Sequence, residues 1–166
     1  KKFSADIIVR VTCDDPLKCS SVIDYAISRL IEHKFDYCSN TMDPSFPEGL
    51  DVECFTFEAL SKAERYARNP YQREHVTPYI YENLGEFKVD NFSADTDYSK
   101  FRLTIDYFQD LSNIRTFYRD LNNNFLAEYN DILQLLNKER YRDLLVGKIS
   151  RNQGLLRSME KDKWNV

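Results

Sequence analysis

Two aspartates follow predicted strands and are candidates for metal chemistry. Asp14 comes after the β-branched run 5–12, and Asp106 comes after 101–105, whose apolar residues alternate with a period of two. Mg²⁺ prefers a few carboxylate oxygens together with water and substrate phosphates, so neighbouring strands could bring both side chains onto one cation. An aspartate at a strand end is also commonly a turn or helix-cap residue, and the residues alone leave both interpretations open.

A second polar group stands at the start of a predicted helix. Arg73, Glu74 and His75 place a cation, an anion and an imidazole side by side. A helix start favours anions through its free amide groups, so this group could hold a substrate carboxylate or phosphate, with Arg73 as a forked donor. The alternative is that Glu74 caps the helix, Arg73 pairs on the surface and His75 is a buried, hydrogen-bonded imidazole.

A glycine and two acidic residues begin another predicted strand. Asp51 and Glu53 could accept hydrogen bonds from a polyhydroxylated ligand, and Gly49 would let the backbone approach it closely. Asn40 lies in the loop-like stretch 37–50 that precedes them. A plain turn into an edge strand is the alternative interpretation of this segment.

An alternation of strands and helices must position these residues. The run 5–12 is predicted to be a strand that is buried on both faces. Further strands are expected over 51–56, 87–89 and 101–105. Helices are expected to begin near Ser21, Thr56, Arg73, Phe108 and Tyr129. The pattern indicates an α/β layered domain over residues 1–149, followed by a polar C-terminal tail over 150–166.

The overall composition argues against several classes of protein. With 166 residues, 42% of them hydrophobic, the chain can form one packed domain rather than a disordered segment. The 23 basic and 27 acidic residues are interspersed, so no uniformly basic face is available for nucleic acid. The sequence contains neither a membrane-length apolar stretch nor a signal-peptide layout, and its four cysteines lack zinc-finger spacing. We expect a cytoplasmic protein with free thiols and no membrane partner.

Five segments, in order along the chain, resemble the acidic-sugar cytidylyltransferase family, in particular its branch associated with spore-coat polysaccharide biosynthesis. They are I-I-V-R-V-T-C-D-D-P-L (7–17), D-Y-C-S-N-T (36–41), F-P-E-G-L-D-V-E-C-F-T-F-E-A-L (46–60), R-E-H-V-T-P-Y-I (73–80) and R-L-T-I-D-Y-F-Q-D-L (102–111). The blocks G-L-D-V-E and R-E-H-V-T-P-Y are specific to the family, whereas a strand followed by an aspartate is common in α/β proteins.

The resemblance implies a fold and a reaction. The fold is that of nucleotide-diphospho-sugar transferases, a three-layer α/β/α sandwich around a mainly parallel mixed sheet. In the reaction, the anomeric hydroxyl of a sugar acid attacks the α-phosphate of CTP, with Mg²⁺ as cofactor, to give a CMP-sugar and pyrophosphate. By position, Asp14 and Asp106 become catalytic metal ligands. The sugar-binding side comprises Asn40, Asp51, Glu53, Arg73, Glu74 and His75. Relatives are commonly dimers, which adds a homodimer to the expectations.

Two departures from the family pattern bear on activity. Members normally begin with a strand and a basic, glycine-containing loop for the nucleotide, and we expect that this N-terminal part is missing from the sequence. After Asp106 the family usually has Thr-Pro-Glu-Asp, whereas Tyr107-Phe108-Gln109-Asp110 stands here, a change expected to reshape the metal loop. The leading hypotheses are the carboxyl-terminal part of a CTP-dependent transferase and a non-catalytic sugar-binding or assembly domain. A metal-independent protein that uses another nucleotide sugar is a third.

Overall fold

The computed structural model describes residues 3–146 and 151–163. Strands and helices alternate through these residues. In chain order they are β1 (Ile7–Arg10), α1 (Ser20–His33), β2 (Tyr37–Ser39), β3 (Glu53–Thr56), α2 (Phe57–Tyr66), α3 (Pro70–His75), α4 (Pro78–Glu82), β4 (Val89–Asn91), α5 (Phe108–Asp120), α6 (Tyr129–Leu136), α7 (Glu139–Leu144) and α8 (Gln153–Lys163).

The described strands form one four-stranded mixed sheet in the order β1-β3-β2-β4. β3 pairs antiparallel with both β1 and β2, whereas β2 and β4 are parallel. The α/β class and the mixed sheet are therefore confirmed, and the parallel pairing in the described part is that of β2 with β4. β1 lies at the edge of this sheet and is half-buried along its length, so it is not the strand buried on both faces that its apolar run predicts.

Helices cover both faces of the sheet. Successive strand residues point to opposite faces, so apolar neighbours in one strand each need a covering layer. Cys38 and Cys54 belong to the larger core, together with apolar residues of α1, α5 and α6. Their neighbours Tyr37 and Phe55 belong to a smaller core, which they share with residues of α2 and α4. The outcome is the predicted arrangement of three layers. None of the helices in the described part combines the length and apolar character needed to cross a membrane.

Two predicted helix starts have different outcomes. The Thr56 side chain accepts a hydrogen bond from the backbone N–H of Ala59 and caps α2, as predicted. The first helix begins at Ser20, with Cys19 as its N-cap residue and no side-chain cap. The helix therefore starts one residue before the predicted Ser21, and no side chain caps it. The helix forms nevertheless, because the buried side chains of Val22, Ala26 and Leu30 lie along one face.

The single helix predicted over 73–83 is divided into α3 and α4 by one residue. Val76 has φ 72° and ψ −52°, and the N–H of Thr77 donates to the carbonyl of His75 at 2.9 Å. This is the geometry of a γ-turn, which is strained for any side chain and most of all for a β-branched one. Pro78 then fixes the first turn of α4. On either side of this turn, the His75 ring contacts Ser158 of α8 and the Thr77 hydroxyl donates to Glu53 of β3.

The strand predicted over 101–105 is not formed. Phe101 and Arg102 make only isolated bridges, with Val146 and Glu48 respectively. Beyond them the stretch stays extended, and the N–H of Ile105 donates to the carbonyl of Asp14 at 2.8 Å. The alternation of apolar residues indicates extended backbone correctly, but these partners are loop segments that offer no continuous ladder.

The stretch predicted as a polar tail contains α8, whose Gln153–Lys163 form a helix with no buried residue. α8 packs against α3 through polar contacts. The Oγ atom of Ser158 lies 3.1 Å from Nε2 of His75, and a carboxylate oxygen of Asp162 accepts from the N–H of Tyr71 at 2.8 Å. Within the predicted tail, residues 150 and 164–166 lie outside the described residues.

Candidate functional site

A cavity of about 470 Å³ opens beside the N-terminal loop, and its wall is dominated by charged side chains. The loop after β1, the turn before β3, the junction of α3 with α4, the stretch 102–107 and the start of α8 all contribute. The carboxylates that line it are Asp14, Asp15, Glu48, Asp51, Glu53 and Asp106. The arginines and lysine that line it are Arg10, Lys18, Arg102 and Arg157.

Asp14 and Asp106, the predicted metal ligands, line the same cavity. The carbonyl of Asp14 accepts hydrogen bonds from the N–H of Ile105 at 2.8 Å and the hydroxyl of Thr104 at 3.2 Å, so backbone contacts hold the two aspartates on adjacent segments. The Asp14 side chain is exposed, whereas Asp106 accepts a hydrogen bond from Arg102. The described residues contain no group of three or more His, Cys, Asp or Glu side chains placed for a metal. Two carboxylates suit Mg²⁺, which retains waters and takes substrate phosphates.

Asp15, adjacent to Asp14, has a different environment. Its side chain is buried and accepts from the Thr12 hydroxyl at 2.8 Å and from Nζ of Lys18 at 2.7 Å. The same ammonium group donates to the carbonyl of Asp51, which ties the first loop to the start of β3. Of the two consecutive aspartates, Asp14 is therefore available to a ligand, and Asp15 orients Lys18.

Arg102 organises the loop that carries Asp106. This buried guanidinium donates to Glu48 at 2.7 Å, to Asp106, and to Asp110 at 3.4 Å. Burial acts to lower the pKa of Arg102, but these carboxylates raise it above its ordinary value, so the charge is retained. Asp110 also accepts from the N–H groups of Asp106 and Tyr107 at 3.1 and 3.0 Å. Asp110 is the one acidic residue of the altered block Tyr107-Phe108-Gln109-Asp110, and its hydrogen bonds hold the loop after Asp106 in place.

Gly49 allows two backbone segments to approach each other below the cavity. Its φ is +105°, and a Cβ atom built there would lie 2.7 Å from the carbonyl carbon of Leu103 and 3.0 Å from the nitrogen of Thr104. The sequence suggested that this glycine lets a ligand approach. The approaching group is instead the stretch that leads into Asp106, so Gly49 positions the metal loop.

Asp51 lines the cavity and pairs with a residue that precedes α8. A carboxylate oxygen of Asp51 accepts from Nη2 of Arg151, whose Nη1 donates to the carbonyl of Phe46 at 3.0 Å. Burial raises the pKa of Asp51 to about 6, although Arg151 acts in the opposite direction. The pair anchors the C-terminal segment to the turn before β3, a role that the sequence does not reveal.

Glu53, at the start of β3, is a buried carboxylate with three donors. It accepts from Arg10 of β1, from the hydroxyl of Tyr37 at 2.7 Å and from the hydroxyl of Thr77. Burial, and then the Glu53 charge, raise the pKa of Tyr37 well above its ordinary value, so this hydroxyl stays a donor. Because its oxygens already accept these hydrogen bonds, Glu53 holds Arg10 and the α3–α4 junction against the sheet. Arg10 in turn lines the cavity.

The other predicted sugar-binding residues divide into one at the cavity and three away from it. His75 lines the cavity and contacts Ser158 of α8. Arg73 is exposed and donates to the carbonyls of Glu64 and Ala67 on α2, while Glu74 points into solvent. Asn40 is fully buried, and its amide bonds the carbonyl of Leu50 and the N–H of Val52, both at 2.9 Å. Asn40 therefore shapes the turn before β3 from beneath.

α8 closes one side of the cavity with Gln153 and Arg157. The Oε1 atom of Gln153 accepts from Nη2 of Arg157 at 3.0 Å and from the hydroxyl of Tyr107 at 3.3 Å. Tyr107 follows Asp106 directly, so the metal loop and α8 are connected through Gln153.

The sequence did not identify Glu48 or the basic residues of this wall as functional. Arg10, Glu48 and Arg102 all lie inside segments that resemble the family. For Arg102 the sequence does contain a signal, because a charged residue interrupts the apolar, strand-like run 101–105. Arg157 lies in the polar tail, where nothing distinguishes it from neighbouring surface charges. The chemistry available to the assembled wall is to hold a cation at Asp14 and Asp106 and to orient anionic and hydroxyl groups beside it.

Comparisons with known proteins agree with this geometry. The chain is 28% identical to a cytidylyltransferase from Leptospira borgpetersenii serovar Hardjo-bovis (strain JB197), whose structure superposes with a TM-score of 0.80. The match covers 91% of this chain and 63% of that one. An uncharacterized protein from Methanocaldococcus jannaschii is 42% identical over 139 residues, which are 82% of this chain and 54% of that protein. The chain thus spans about half the length of this curated relative.

The family model of the cytidylyltransferases matches residues 1–152, which include β1 to β4 and every predicted site residue. Its match ends where α8 begins. Together with the superposition, this match shows that the chain belongs to the cytidylyltransferase family.

Proposed function

We propose that the protein transfers CMP from CTP to an acidic sugar in the synthesis of a surface polysaccharide, such as that of a spore coat. In the reaction the anomeric oxygen of the sugar bonds to the α-phosphorus, and the bond from that phosphorus to the pyrophosphate oxygen breaks. The hydroxyl proton is released to solvent. From the family resemblance we also propose that the protein forms a homodimer.

The observation that carries the proposal is the exposed carboxylate of Asp14 beside Asp106 in one cavity. Among the described residues, no arginine or lysine neutralises the Asp14 side chain, although the neighbouring Asp15 is paired with Lys18. Such a carboxylate suits a hard cation, and the Asp106 side chain, 48% exposed, remains accessible as a second ligand. A bound Mg²⁺ would neutralise charge on the triphosphate, while Arg10 and Lys18 orient substrate oxygens near it.

One contact favours the alternative, a non-catalytic sugar-binding or assembly domain. Asp106 already accepts a hydrogen bond from Arg102, so a metal would have to share this carboxylate with a guanidinium. The transferase proposal requires that Asp106 binds through its other oxygen or exchanges partners. Replacement of each aspartate tests this requirement directly.

The test measures pyrophosphate release from CTP with a panel of sialic and ketodeoxy sugar acids, as a function of Mg²⁺ concentration. We expect Asp14→Asn and Asp106→Asn each to reduce Mg²⁺-dependent turnover at least about 100-fold, because loss of residues that merely orient metal ligands already costs 10- to 100-fold. The matched control is Asp24→Asn, an exposed aspartate on α1. Sugar binding that neither Mg²⁺ nor these variants affect, without turnover, would instead support the non-catalytic domain.

A further inference from the structure

The cationic side chains of the cavity differ in whether a carboxylate already neutralises them. Arg10 is paired with Glu53, and Lys18 with Asp15. Arg102 is paired with three carboxylates, those of Glu48, Asp106 and Asp110. An anionic ligand that approaches any of these three cations meets the partner carboxylate as well, so the net attraction is small.

Arg157 is the exception among the lysines and arginines in the described wall of the cavity. Within residues 3–146 and 151–163 it makes no ion pair, and its one hydrogen bond there goes to a neutral group, the side-chain oxygen of Gln153 at 3.0 Å. Because Nη2 makes that bond, Nε and Nη1 remain as donors for a ligand. Arg157 therefore offers the cavity a positive charge that is not paired with any carboxylate in the described part of the chain.

One hydrogen bond, to Gln153, orients the exposed side chain of Arg157, and the contacts of neighbouring residues support it. Gln153 bonds Tyr107 of the metal loop as well as Arg157, so the amide holds the guanidinium at a set position relative to Asp106. On the next turn of α8, Ser158 contacts His75 and keeps the helix against α3. A side chain that is oriented in advance loses less conformational entropy when it binds a ligand.

We propose that Arg157 binds the carboxylate of the acceptor sugar and thereby makes the cavity selective for an acidic over a neutral sugar. Guanidinium and carboxylate groups match in shape and charge, and they form strong charge-assisted hydrogen bonds. The carboxylates elsewhere on the wall repel a second anion, so the sugar acid is directed to the side that α8 forms. This inference rests on the proposed function, since it assigns a role within acceptor binding.

The test is isothermal titration of the 166-residue chain with N-acetylneuraminic acid and 3-deoxy-manno-octulosonic acid, and with the carboxamide of each. The carboxamide keeps the shape and hydroxyls of the sugar but has no charge. We expect the chain to prefer acid over carboxamide for at least one sugar. Arg157→Gln should weaken binding of that acid about tenfold or more and leave binding of its carboxamide unchanged. Arg157→Lys should give an intermediate loss.

Lys161→Gln is the matched control, because it removes an exposed charge from the same helix. It should leave the preference for the acid intact, and thermal unfolding should show all variants equally folded. Equal losses for acid and carboxamide in Arg157→Gln, or no preference in the unmodified chain, would overturn the proposal. Neither CTP nor Mg²⁺ is present, and Asp14→Asn should retain the preference while it loses turnover. Failure of acceptor selection is thus distinguishable from failure of the transferase proposal.

Discussion

Replacement of Gly49 by alanine should destabilise the fold specifically through the stretch that carries the metal loop. At φ +105° an alanine occupies a region that is strained for any side chain, at a cost of about 1–3 kcal/mol. The added Cβ would also lie 2.7 Å from backbone atoms of Leu103, which cannot turn away as a flexible side chain could. Alanine restricts the unfolded chain and returns about 0.4–1 kcal/mol. The expected net loss is about 2 kcal/mol, which corresponds to a decrease in Tm of roughly 4–8 °C.

The matched control is Gly85→Ala. No atom lies within 4 Å of a Cβ built at Gly85, and its φ is outside the range that excludes side chains. The same chemical change should therefore leave the free energy of unfolding unchanged or raise it by a few tenths of a kcal/mol. Urea unfolding followed by circular dichroism gives both values, provided that the m-value is the same for all three proteins.

Equal stability of Gly49→Ala and Gly85→Ala would refute the close approach of Gly49 to the stretch 103–104. A loss confined to Gly49→Ala would support it. If the proposed function is correct, Gly49→Ala should also weaken the Mg²⁺ dependence of CTP binding, because Leu103 and Thr104 lead through Ile105 into Asp106.

Two further predictions concern buried carboxylates. Glu53→Gln replaces a carboxylate oxygen with an amide N–H donor where three donors converge, and it leaves Arg10 unpaired. The free energy of unfolding, measured by urea titration, should therefore fall by about 1–3 kcal/mol. Glu74→Gln, at an exposed site, should cause no measurable change. The pKa of Asp51 is raised to about 6 in the fold, so folding is favoured below the unfolded value of about 4 and loses up to about 3 kcal/mol as pH rises through 6. Asp51→Asn should flatten this pH dependence, and Arg151→Gln should extend the decline above pH 6, because Arg151 lowers the pKa of its partner. An unfolding free energy of Asp51→Asn that still declines between pH 4 and 7 as in the unmodified chain would count against this assignment.

Local patterns in the sequence predicted the elements whose partners are close along the chain. The cap at Thr56 and the apolar faces of α1, α5 and α6 depend on neighbours a few residues away, and they are present in the structure. The division of the third helix could not be anticipated, because nothing in the sequence marks Val76 as a residue with positive φ. The strand predicted at 101–105 failed for a related reason: its partners are loop segments, and alternation records extended backbone but not the length of a ladder.

The roles of the predicted site residues also depend on contacts that the sequence does not show. A sequence identifies carboxylates, but their function depends on which donors the fold brings to them. Asp14 and Asp15 are adjacent and chemically identical, yet one is exposed and the other is paired with Lys18 and Thr12. The sequence predicts that Glu53 and Asp51 accept hydrogen bonds from a sugar, whereas in the structure they accept from Arg10 of β1 and from Arg151, which precedes α8. The partners of Asp15 are three residues away, whereas the arginine partners of Glu53 and Asp51 are 43 and 100 residues away and depend on the tertiary fold.

Charge balance gives a physical reason to expect a metal ion in the complete reaction. The described wall of the cavity carries two more carboxylates than arginine and lysine side chains, and three of its four cations are already paired. A nucleoside triphosphate and a sugar acid would both bring negative charge into this wall. Under the proposed function these two anions would repel each other, and a divalent cation at Asp14 and Asp106 would offset the charge on the phosphate side. In this proposal Arg157 would bind the sugar carboxylate, and the two anions would be separated within one cavity.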